Sequence, residues 1–199
     1  MNRLLQEKWP WIEGSHGMRT QLLDVLSDAD LAFSPGGRNI TLGALFREMA
    51  ETEYSYIQSL KTLKQDWTSS STNASMETSL DRIKAEYQAL DDEMKATISA
   101  LSDEDTAKTV DRGGGFSMPL DLQLDVYLQA LLIFFGKATV YLRAMNRAYP
   151  EQIQAWIGSL ISNTSWYSFH FLQTVVPRTK VCKKWKEYQD VYLLFMLVA

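Results

Sequence analysis

Few side chains in this sequence are able to do proton, metal or nucleophilic chemistry. Two carboxylates stand out, Glu48 and Glu53 in the segment REMAETE. A buried, unpaired carboxylate has a raised pKa and serves as an acid, a base or a ligand contact. Five residues apart, they do not share one line of a helix. Glu48 also sits beside Arg47 and near Glu51, which suits the edge of a solvated face. His16 is expected near the N-terminal end of the first helix, partly exposed and within reach of Glu48. The other histidine, His170, and the lone Cys182 fall in the C-terminal segment. Lys180, Lys183 and Lys184 favour the Cys182 thiolate, but no base or partner motif accompanies it. Two histidines exclude a three-histidine metal site, and one cysteine excludes an internal disulfide and a cysteine-rich zinc site. The GGG at 113–115 lacks the preceding strand and the following Lys-Ser/Thr of a phosphate-binding loop, so it reads as a turn.

The elements that must position these groups are helical. Met18, Leu22, Val25 and Leu26 recur at helical spacing over 12–27. Pro10 limits any continuous helix reaching back to Leu4. A turn-rich FSPGGRN follows, and Asn39 or Thr41 can cap a second helix running to about 64. Its stripe is Leu42, Leu45, Phe46, Met49, Tyr56, Ile57 and Leu60. The polar stretch 68–75 separates it from a third helix over 76–101, apolar on one face only. A fourth is expected over 119–147, with Ser117 as N-cap and Pro119 just inside. Its VYLQALLIFF is apolar on nearly every side, which places it in the middle of a bundle with Leu128, Leu131 and Leu132 inside. No run alternates with period two beyond a short piece near Val110. The expectation is an all-α, antiparallel four-helix bundle over residues 1–158, with a short C-terminal extension over 159–199.

The chain has 199 residues and a net charge of -4. That balance gives no reason to expect nucleic acid, although KVCKKWK interleaves lysines with aromatics. Residues 159–199 carry five Lys or Arg against two Asp or Glu, and eight of them are Trp, Tyr or Phe. No signal-peptide core opens the sequence, and the apolar stretch 191–199 is about half of the ~20 residues that span a bilayer. The reading is a cytoplasmic protein without a membrane partner. A homodimer is one arrangement that would bury the apolar end.

Three stretches resemble the DinB/YfiT-like superfamily of bacterial four-helix proteins. LSDADLAFSPGGRNITLGALFREMAETE, at 26–53, resembles that family's passage from helix one into helix two. FFGKATVYLRAMNR, at 134–147, resembles its motif on helix four, and YPEQIQAWIG, at 149–158, its closing segment. The likeness covers about 12–158. It implies a divalent metal such as Zn or Ni at one end of the bundle, held by one histidine from helix two and two from helix four. Residues i and i+4 share a helix face, so two imidazoles converge on one ion.

In this sequence the resemblance puts Glu48, Ala130 and Phe134 at those three positions. Ala130 and Phe134 offer no ligand atom, so no metal cofactor is expected there. The primary reading is a DinB-like protein that binds a small molecule or a partner in a pocket at Glu48, Ala130 and Phe134, with His16 and Glu53 as polar neighbours. The alternative is a metal-dependent hydrolase or thiol-dependent S-transferase with non-standard ligands such as Glu48, Glu53 and His16. No catalytic residue is assigned.

Overall fold

The computed structural model describes residues 2–157, apart from 69, 71 and 72. Contacts divide the chain into Met1–Pro150 and Glu151–Ala199. The expected extension at 159–199, with His170 and Cys182, lies outside the described residues.

A short helix α1 (Arg3–Glu7) leads into α2 (Trp9–Asp24). Pro10 falls in the first turn of α2, where a missing N–H costs nothing, so the chain breaks at Lys8 and restarts. A capping box at Ser27 and Asp30 opens a 3₁₀ turn at Asp28–Ala32. Helix α3 (Leu42–Thr62) is capped by Thr41, whose Oγ1 accepts from Ala44 N–H at 3.2 Å. It ends at Leu63, which adopts a left-handed φ of 57°. After a 3₁₀ turn at Ala74–Thr78 come α4 (Leu80–Ala100), strands β1 (Thr109–Asp111) and β2 (Ser117–Pro119), and α5 (Leu120–Ala144). The strands pair antiparallel, and glycines 113–115 all take positive φ between them. Ser117 therefore belongs to a strand, not to the cap expected of it, and Pro119 precedes α5. The second unit contributes α6 (Glu151–Ile157).

Among the described residues α2, α3, α4 and α5 form an all-α four-helix bundle. The contacting pairs are α2–α4, α2–α5, α3–α4 and α3–α5. Side-chain pairs fix the directions. Asp24 meets Lys84 and Glu13 meets Lys95, so α2 and α4 run oppositely. Glu48 meets Lys137 while Ser59 meets Gln123, so α3 and α5 also run oppositely. Phe46 meets Tyr87 and Lys61 meets Glu93, so α3 and α4 run the same way. Lys8 meets Asp121 and His16 meets Tyr127, which makes α2 and α5 parallel as well. Each helix thus has one antiparallel and one parallel neighbour. The 3₁₀ turn at Ala74–Thr78 packs against α3 just before α4 begins, which makes this order possible. There Gly43 lies so close to Glu77 that a Cβ on it would stand 1.9 Å from the Glu77 carbonyl oxygen.

The core contains Leu22, Phe46, Ile57, Ile83, Met94, Leu124, Tyr127 and Leu131, all nearly inaccessible. Helix α5 is long and apolar enough to cross a membrane by length and composition, with mean hydropathy 1.3. In this fold it buries one face against α2 and α3. Its other face corrects the sequence reading. Leu131 is buried, but Leu132, Ile133 and Val140 are 48%, 57% and 58% exposed, and Leu128 is half-buried. An outer position in a four-helix ring covers only part of a helix, whatever its composition.

Candidate functional site

Among the described residues, a buried polar network lies at mid-height in the bundle. Helix α2 supplies His16 and Arg19, α3 Glu53, α4 Tyr87 and Asp91, and α5 Tyr127. His16 and Arg19 are three apart and so share one face of α2. Arg19 and Glu53 are fully buried, and His16 is 4% exposed. The Arg19 guanidinium donates from one nitrogen to Glu53 Oε2 at 2.5 Å and from another to Asp91 Oδ1 at 2.6 Å. It also stacks on the Tyr87 ring at 3.7 Å. His16 Nδ1 lies 2.7 Å from Asp91 Oδ1, and His16 Nε2 lies 2.7 Å from the Tyr127 hydroxyl and 3.6 Å from Glu53 Oε1. Tyr87 in turn donates to the Phe46 carbonyl at 2.7 Å.

The two carboxylates are pushed in opposite directions. Burial raises Glu53 above its ordinary value, outweighing the charges of Arg19 and His16. Burial pushes Asp91 up too, but the hydrogen bond from His16 and the charge of Arg19 outweigh it and hold Asp91 low. Asp91 retains some contact with solvent, its side chain being 22% exposed. The phenols of Tyr87 and Tyr127 are raised by burial, so both stay neutral.

His16, Glu53 and Asp91 bring one ligand atom each to within 4.8 Å of one another, a donor set of the kind that holds a divalent metal. Asp91 was missed in the sequence. It stands among Asp92 and Glu93 on a charged face, and nothing local distinguishes it. His16 is buried rather than partly exposed, and its partners are Asp91, Glu53 and Tyr127, not Glu48.

The other sequence-selected residues gather elsewhere. Glu48, Ala130 and Phe134 line a small pocket between α3 and α5, of about 130 Å³. Leu45, Met49, Thr52, Ile133 and Lys137 complete its wall. Glu48 is half exposed, and its Oε1 is 2.8 Å from Lys137 Nζ. The Phe134 ring packs edge-on against Phe46 at 5.4 Å. Glu53, though on the same helix as Glu48, belongs to the inner network.

A second polar network ties the β-hairpin to the bundle. Gln123 Nε2 donates to Ser59 Oγ at 2.8 Å and to Gln65 Oε1, while Arg112 donates to Gln123 Oε1 at 2.7 Å. These residues satisfy one another, and their work is to hold the hairpin.

Residues 13–129 match the family model of the DinB superfamily. A solved DinB-like protein (YjoA) from Bacillus subtilis aligns with a TM-score of 0.54 at 12% identity. The alignment covers 67% of this chain and 88% of that one, and it is a likeness of fold. No curated protein sequence matches the chain significantly.

Proposed function

Because the chain belongs to the DinB superfamily, we propose that it uses the α3–α5 pocket to bind a small apolar molecule, or the apolar end of a larger one, with no divalent metal at that position. The observation that carries this reading is the chemistry of the three residues there. Ala130 contributes a methyl group and Phe134 a ring, in a lining shared with Leu45, Met49 and Ile133. Glu48, the one residue with ligand atoms, is held by the Lys137 ammonium. A metal at this place would have a single carboxylate, against the three protein ligands of a catalytic zinc site.

Size narrows the occupant. A pocket of about 130 Å³ is small beside the ~300–1,000 Å³ of drug-sized sites, and near the ~150 Å³ of an apolar cavity that takes up benzene. The Glu48–Lys137 pair at the rim suits a ligand carrying one polar group beyond its apolar end.

Titrating the protein with benzene and with indole, followed by amide chemical shifts, tests the reading. Shifts confined to residues around Ala130 and Phe134, abolished by Ala130→Leu, are expected. Shifts scattered over the surface, or unaffected by that substitution, would refute it. Elemental analysis of protein purified without an affinity tag is expected to find less than a tenth of an equivalent of zinc or nickel. A full equivalent lost on Glu48→Ala would establish a metal at this pocket instead.

A further inference from the structure

We propose that the His16–Glu53–Asp91 cluster is a divalent-metal site whose cation is supplied by the chain itself, as the guanidinium of Arg19. The site therefore takes a metal such as zinc only when that charge is removed. The proposal concerns a different place from the α3–α5 pocket and does not depend on it.

The donors are those of a transition-metal centre: one imidazole and two carboxylates, drawn from three helices and mutually within 4.8 Å. Imidazole and carboxylate oxygens meet at such distances around a cation, with a proton neutralising one carboxylate, or at the cost of leaving negative charge unpaired in a low dielectric. Here a cation is present. Arg19 reaches both carboxylates at once, with one nitrogen on each. Its guanidinium is sealed from solvent by stacking on Tyr87.

The fit is incomplete in a way that points to a metal. Glu53 Oε1 is fully buried without a hydrogen bond of ordinary geometry, and it faces His16 Nε2 at 3.6 Å, a nitrogen that also lies 2.7 Å from the Tyr127 hydroxyl. A guanidinium is planar, and its donors serve Glu53 Oε2 and Asp91 Oδ1 only. A metal ion has no such plane and would engage the free oxygen and the imidazole nitrogen together. A guanidinium carries one positive charge where a divalent ion carries two, so Arg19 alone leaves one negative charge when both carboxylates are ionised.

Four full-length proteins test this, each dialysed against zinc chloride, then zinc-free buffer, and assayed for bound zinc, helical signal and thermal midpoint. The unsubstituted protein is expected to retain under a tenth of an equivalent. Arg19→Met keeps most of the side-chain volume without the charge. It is expected to retain one equivalent and to melt at least 5 °C higher with zinc than without. If Arg19→Met does not fold alone, zinc should restore its helical signal. Arg19→Met with Asp91→Asn should lose the zinc again. Arg19→Lys, which keeps a positive charge, should fold and stay metal-free. Stoichiometric zinc in the unsubstituted protein or in Arg19→Lys would overturn the proposal. So would an Arg19→Met protein that, folded or unfolded, takes up none.

Discussion

Glu48 and Glu53 are five residues apart on one helix and have opposite fates. Glu48 is solvated and paired with Lys137, while Glu53 is sealed inside and paired with Arg19. Exposed ion pairs contribute little, so Glu48→Ala should change unfolding free energy in urea by no more than about 1 kcal/mol. Glu53→Ala leaves Arg19 buried with half its partners gone, and should cost about 3–5 kcal/mol. Equal effects from the two substitutions would contradict the burial seen here. Acidity separates the partners further. Asp91 is held below its ordinary 3.8, so it contributes stability above that pH which is lost as pH falls through the lowered value. Glu53 is raised above its ordinary 4.5, so the folded state holds its proton more tightly and stability declines as pH rises from 4.5 through the raised value. In thermal midpoints measured across pH, Asp91→Asn should flatten the limb below 3.8, and Glu53→Gln should remove the decline above 4.5.

At the scale of elements, helix α3 is held where it starts and where it crosses α5. Gly43 is the point at which α3 touches the returning 3₁₀ turn, backbone to backbone. Alanine normally favours a helix over glycine by up to ~1 kcal/mol, but a Cβ here would collide with the Glu77 carbonyl. Gly43→Ala should therefore destabilise by about 1–3 kcal/mol, and a stabilised variant would show that the turn yields freely. Helix α5 gives a contrast between neighbours. Leu131→Ala removes a fully buried side chain and should cost about 2–5 kcal/mol. Leu132→Gln, on the exposed face, should stay within about 0.5 kcal/mol. Chemical denaturation of the two variants side by side measures both.

For the whole molecule, the sequence determined the number of long helices, their approximate extents and the all-α class. Those features are local. The stripe from Leu42 to Leu60, the Thr41 cap and the glycines of 113–115 act within a few residues of themselves, so their spacing is readable directly. The resemblance also selected Glu48, Ala130 and Phe134, which are among the residues lining a small pocket between α3 and α5. What the sequence left open was relative placement. The parallel pairing of α3 with α4 depends on where residues 63–79 lead the chain, which no periodicity encodes. The outward face of α5 depends on how many neighbours surround it, so VYLQALLIFF read as wholly interior although Leu132 and Ile133 face solvent. Nothing local marks Arg19 for burial, because its partners Glu53 and Asp91 are 34 and 72 residues away. Only tertiary packing brought His16, Arg19, Glu53, Asp91 and Tyr127 together. A charge is buried when another helix supplies its counter-charge, and that partner cannot be found within a single helical segment.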